Sequence, residues 1–273
     1  MVATDLLPRA VSVAATAVAV VVLTGCGTSG PAEPEPSQDA GIDGSITVFA
    51  AASLKASFTE LADQFEAAHP GADVTLNFAG SSDLVTQLTE GAPADVFASA
   101  DAGNMVKASD ADLLAGEPVD FATNTLQLAV PPDNPAGIAS LADAARPGVK
   151  TVVCAEQVPC GAAAAKVEQA AGIELTPVSE ESSVTDVLGK ITSGEADAGL
   201  VYVTDVRAAG DAVLGIEFPE AAGAVNTYPI AALADVAEPG TAQAFIDFVT
   251  GDDGGAVLEA AGFGAPRSRG VTG

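Results

Sequence analysis

The stretch ITVFAAASLKASFTELADQFEAAHPGADVTLNFAGSSDL, residues 46–84, decides the fold. It opens on ITVFAAA (46–52), a run that reads as a buried strand. Leu54, Phe58, Leu61, Phe65 and Ala68 then recur at helical spacing, and His69-Pro70-Gly71 stops that helix. DVTLNFA (73–79) is the next strand, and Gly80-Ser81-Ser82-Asp83 opens a helix carrying Leu84 and Leu88. Strand, short turn, helix and strand in this order set the class as α/β.

The alternation continues downstream. ADVFASA (94–100) reads as a third strand, followed by a polar helical stretch. TLQLAVP (125–131) begins a second block, with a strand at KTVVCA (150–155) and a helix at 161–172 that Gly172 ends. Val184, Val187, Leu188 and Ile191 give an amphipathic helix behind Ser182-Ser183, and ADAGLVYV (196–203) is a strand. After TYPIAAL (227–233) two helices are expected, at 241–250 and 252–262. The order predicts two α/β lobes crossed near 122–126 and 226–230. Residues 45–124 with 230–265 form the first lobe and residues 125–229 the second, with a cleft between them.

Upstream, a short segment carrying Arg9 leads into the apolar run AVSVAATAVAVVVL, which is too short to be a convincing spanning helix. The run ends in Leu23-Thr24-Gly25-Cys26, which resembles the lipobox of bacterial lipoproteins. That resemblance implies a signal peptide over 1–25, cleavage before Cys26 and a lipid on its sulfur. Residues 26–44 are rich in Pro, Gly, Ser and acid and read as a disordered tether. The expected location is therefore extracytoplasmic, anchored by lipid to the outer face of the cell membrane.

The chain has 273 residues, with 37 acidic against 10 basic and a formal charge of −27. Phosphate neutralisation needs Lys and Arg, so a nucleic-acid partner is excluded. An oxidising compartment favours a disulfide between Cys154 and Cys160. A metal site would need more ligands than these two and the single His69. A nucleophilic Cys160 would need a His base, and His69 sits at a helix end.

No catalytic constellation is present: no Walker loop, no GxGxxG, no HExxH and no Ser/His/Asp set with a spare His. What recurs is a small-residue turn at a helix start, at Ala52-Ser53, Gly80-Ser81-Ser82, Pro159-Cys160-Gly161 and Ser182-Ser183-Val184. A helix start presents unpaired N–H groups and a partial positive charge, and it binds anions without needing a cation. Taken singly, each serine is an ordinary N-cap. Two of the four starts fall in each predicted lobe, so a cleft could converge them on one ligand.

ITVFAAASL (46–54), FAGSSDL (78–84), GAPADVFASAD (91–101), VPCG (158–161) and GLVYVTD (199–205) together resemble the molybdate-binding proteins of ABC importers. The resemblance runs from about Ile46 to Phe263. It implies a type II periplasmic-binding-protein fold, each lobe a mixed sheet flanked by helices. It also implies a monomeric binding protein with no cofactor and no catalysis, which hands molybdate or tungstate to a membrane permease. By the same resemblance the oxyanion is held by neutral donors: hydroxyl and N–H of Ser53 and Ser81, backbone N–H of Cys160 and Val184, and the phenol of Tyr202. Sulfate or thiosulfate carriage, a secreted thiol enzyme using Cys160 and a scaffold without a ligand are the competing readings.

Overall fold

The computed structural model describes residues 41–266. The signal segment, Cys26 and the tether as far as residue 40 lie outside them. The first strand, β1 (Asp43–Ala51), begins inside the stretch expected to be tether, because Asp43 and Gly44 pair with Gly71 and Ala72 at the start of β2 (Gly71–Ala79). A 3-10 turn (Ala52–Leu54) and α1 (Lys55–Ala68) connect them. The chain goes on through α2 (Ser81–Thr89), β3 (Val96–Ala98), α3 (Ala102–Asp110) and β4 (Val119–Asn124). Only Thr125 separates β4 from β5 (Leu126–Val130), where the second lobe begins.

That lobe contains α4 (Leu141–Ala144), β6 (Thr151–Cys154), α5 (Pro159–Ala171), β7 (Ser179–Glu181), α6 (Val184–Thr192), β8 (Ala198–Tyr202), α7 (Val203–Ala209) and β9 (Leu214–Ile216). The chain returns through a 3-10 turn (Pro219–Gly223) to β10 (Asn226–Ala232), then closes with α8 (Pro239–Thr250) and α9 (Asp252–Ala261).

Two five-stranded sheets result, ordered β2-β1-β3-β10-β4 and β7-β6-β8-β5-β9. Each mixes parallel and antiparallel pairs. In the first, β1 runs parallel to β2 and β3 while β10 opposes β3 and β4. In the second, β6 runs parallel to β7 and β8 while β5 opposes β8 and β9. Because β10 pairs with β4 from Asn226 onward, the first lobe resumes at 226, four residues before the expected 230. Pro229 has no N–H to give the ladder, and the β4–β10 register shifts at Tyr228/Pro229.

Each lobe has its own core. Leu54, Phe58, Leu61 and Phe65 of the first helical turn and α1 are fully buried and pack beside Phe245 and Ile246 of α8. Phe65 meets Phe245 edge-on at 5.3 Å between centroids. The second lobe is filled by smaller aliphatics, among them Leu128, Val152, Val167, Val187 and Leu200. Two halves, each with its own sheet and core and joined by short crossings, bring helix starts from both sides to one cavity.

Candidate functional site

The helix starts that line this junction are bare. Leu54 before α1, Gly80 before α2 and Val158 before α5 offer no side-chain cap, so no capping side chain takes up their first amides. Ser183 is the exception: its hydroxyl caps α6 by accepting from the Asp186 amide at 3.2 Å. Ser53 and Ser81 use their hydroxyls differently. Ser81 Oγ accepts from the Ala100 amide at 3.0 Å, and Ser53 Oγ lies 3.0 Å from the Tyr228 hydroxyl.

Two glycines permit the close approach. A Cβ on Gly161 would lie 2.0 Å from the Ala155 carbonyl oxygen, so only glycine lets the start of α5 fold back over the end of β6. A Cβ on Gly80 would lie 2.1 Å from the Ser182 carbonyl oxygen, which belongs to the other lobe.

Ser53, Ser81, Cys160, Val184 and Tyr202 line one small cavity between the lobes, about 10 Å³ in volume. Gly80 and Ala100 complete its first-lobe wall, and no Lys or Arg lines it. The five residues span almost 150 positions of sequence, and both lobes contribute. Its polar groups are backbone amides and hydroxyls, an arrangement suited to a small anion that carries no proton. A larger groove of about 650 Å³ shares Ala52 and Ser53 with it and runs between α1, α7 and α9, where Lys55 and Arg207 stand. Its apolar lining makes it a seam beside the site.

A buried polar lattice backs the cavity. The Asn226 side-chain amide donates to the Tyr202 hydroxyl at 2.8 Å and to the Ala100 carbonyl at 2.8 Å, and reaches the Pro159 carbonyl at 3.3 Å. Asn124 donates to the Thr204 hydroxyl at 2.8 Å and to the Tyr228 hydroxyl at 3.4 Å. Burial pushes the hydroxyls of Tyr202 and Tyr228 well above the ordinary tyrosine range, so both stay neutral donors. Burial also pushes the Asp205 carboxyl up to about 7, opposed by the Tyr202 amide that donates to it at 2.9 Å.

Asn124, Asn226 and Tyr228 were not singled out from sequence. The available signal was faint: polar residues at the edges of the two expected crossings.

Cys154, at the end of β6, and Cys160, the second residue of α5, form a disulfide. Both sulfur-bearing side chains are buried. Among the described residues no group of three or more His, Cys, Asp or Glu could hold a metal ion. Among the same residues no helix is long and apolar enough to cross a membrane.

Comparison with known proteins fits this geometry. The family described as bacterial extracellular solute-binding protein matches residues 46–264. The molybdate-binding protein ModA of Mycobacterium tuberculosis is 50% identical over 250 residues, which cover 92% of this chain and 95% of that protein. Among solved structures, the periplasmic molybdate-binding protein of Azotobacter vinelandii superposes with a TM-score of 0.70 at 23% identity, over 81% of this chain and 100% of that one. The sulfate-binding protein SubI of Mycobacterium tuberculosis superposes with a TM-score of 0.69 at 18% identity, over 80% of this chain and 86% of that one. At those identities the two superpositions show the fold, and the fold alone does not choose between the anions. With the family matched across both lobes and half its residues shared with the mycobacterial protein, the chain belongs to the bacterial extracellular solute-binding proteins and groups with relatives named molybdate-binding proteins.

Proposed function

We propose that the protein captures molybdate, and with it tungstate, outside the cytoplasm and passes it to the membrane permease of an ABC importer. The observation that carries this reading is the convergence of Ser53, Ser81, Cys160, Val184 and Tyr202 on one cation-free cavity between the lobes. In this reading Ser53 and Ser81 give hydroxyl and amide hydrogens, Cys160 and Val184 give amide hydrogens, and Tyr202 gives its phenolic hydrogen. The protein works as a monomer, holds no resident cofactor, catalyses nothing and is tethered by a lipid on Cys26.

The physics favours a fully deprotonated dianion. Oriented N–H and O–H dipoles replace its lost hydration, and in a water-excluded space they act at low dielectric. A Lys or Arg at the same place would hold the anion more tightly and slow its release to the permease. Phosphate near neutral pH still carries a proton and needs an acceptor. Sulfate needs none, so size must separate it from molybdate, and the shared fold of the sulfate-binding neighbour keeps it as the competing ligand. The thiol-enzyme reading is disfavoured because Cys160 is bonded to Cys154 and offers no thiolate.

Titration calorimetry with molybdate, tungstate and sulfate tests the proposal. Molybdate and tungstate should bind, with sulfate weaker by at least about tenfold, a gap of about 1.4 kcal/mol. Tighter binding of sulfate would reassign the ligand, and no heat with any of the three would overturn the oxyanion reading.

A further inference from the structure

Asn226 opens β10 and is 5% exposed. Its amide nitrogen is clamped between the lobes: Ala100 belongs to the first, Pro159 and Tyr202 to the second. The clamp fixes which way the amide faces. The Ala100 and Pro159 carbonyls can only accept, so the group between them must be the –NH₂ and not the amide oxygen. The same –NH₂ therefore meets the Tyr202 hydroxyl as a donor.

A phenol has one hydrogen to give and accepts through its oxygen. With an N–H already on the Tyr202 oxygen, its hydrogen has no acceptor in Asn226 and is turned away from it, to the Tyr228 hydroxyl beside it or into the cavity. A second leg repeats the logic. Asn124 is the register partner of Asn226 across the β4–β10 pair, and it donates to Tyr228, whose hydroxyl meets Ser53. Two opposed asparagines thus feed hydrogens into the back of the hydroxyls that line or support the cavity.

We infer that Asn226 is a positioning residue that holds the Tyr202 hydroxyl as a donor toward the bound anion, and that this makes the cavity reject oxyanions still carrying a proton. The inference rests on the oxyanion reading above. Without Asn226, the Tyr202 hydroxyl is free to turn and to accept, and a protonated tetrahedral anion gains the acceptor it lacked.

The test compares molybdate with inorganic phosphate, by calorimetry at neutral pH, in the parent, Asn226→Ala, Tyr202→Phe and the double variant. Asn226→Ala should weaken molybdate by about tenfold or more, in keeping with one lost charge-assisted hydrogen bond. Phosphate binding should stay level or strengthen, so the molybdate-to-phosphate ratio falls. In the Tyr202→Phe background the Asn226 change should leave the ratio where it is, because the effect passes through that hydroxyl. Asn226→Ser carries the same comparison if the alanine variant does not fold. An equal loss for both anions, or the same change of ratio with and without the Tyr202 hydroxyl, would mean that Asn226 only holds the lobes together. A parent that binds neither molybdate nor sulfate would instead remove the functional reading itself.

Discussion

Asp205 sits one helical turn behind the cavity with its carboxyl buried and its folded-state pKa raised from 3.8 to about 7. It accepts from the Tyr202 amide and so caps the start of α7. The folded chain keeps a proton there that the unfolded chain gives up at lower pH. The stabilising contribution is therefore complete below about pH 4 and is lost as pH rises through about 7. The full swing is on the order of 4 kcal/mol. Asp205→Asn keeps an oxygen to accept from Tyr202 but does not titrate. Thermal unfolding of the variant should accordingly show a shallower fall in stability between about pH 4 and 7 than the parent. Other carboxylates titrate in both proteins, so the difference between the two curves is the measurement. Superimposable pH profiles would show that Asp205 is ionised and solvated in the fold.

The start of α5 is the element whose geometry is most constrained. Pro159 supplies a preset φ at the first helical position, Gly161 leaves room for the Ala155 carbonyl, and the disulfide ties Cys160 to the end of β6. A clamp of this kind lowers the ordering cost that binding would otherwise meet. Reduction of the Cys154–Cys160 bond is expected to weaken molybdate binding by about threefold to tenfold and to lower the melting temperature. Thiols shown to be fully reduced, with affinity unchanged, would remove the clamp from the account. Elements of this sort were legible in sequence because they are local. A β-run ending in small residues, followed by a 3.6-residue period, marks β1–α1, β2–α2 and β6–α5 without help from the rest of the chain. The short strands β7 and β9 were not legible: SEE and LGI carry no period, and they exist because β6 and β5 present edges to them. β4, VDFATN, is likewise defined by its pairing with β10. The serines show the same division. Their positions at helix starts were readable, but only the fold tells that Ser183 caps while Ser53 and Ser81 turn to other partners. Asn226 alone reads as a turn residue, and its role appears once Ala100, Pro159 and Tyr202 are brought around it.

On the scale of the whole molecule, a surface with a formal charge of −27 must admit a dianion. Salt screens that repulsion beyond about 8–10 Å, and inside this range the helix starts and hydroxyls act directly. In the proposed site they act together only when the lobes are shut, since Ser53 and Ser81 come from one and Cys160, Val184 and Tyr202 from the other. The close approach of the lobes passes over Gly80. Its φ of −60° and ψ of 139° suit any residue, so the glycine is not there for its backbone freedom. It is there because the Ser182 carbonyl of the opposite lobe occupies the space a Cβ would take. If the lobes hinge apart without ligand, that space opens and Gly80→Ala meets no obstacle. The variant should then fold as well as the parent, within about 0.5 kcal/mol in the absence of ligand. It should nevertheless bind molybdate at least about 100-fold more weakly, a loss of about 2.7 kcal/mol. The parent should gain about 4 kcal/mol of stability from molybdate at a thousandfold excess over Kd, and the variant should lose most of that gain at the same concentration. X-ray scattering supplies the independent readout: the parent should contract on adding molybdate and Gly80→Ala should not. A variant that binds and contracts like the parent would show that the Gly80–Ser182 contact yields easily and that closure is controlled elsewhere. A variant already destabilised without ligand would show that the lobes stay shut in the empty protein, in which case capture must proceed through local opening of the cavity wall.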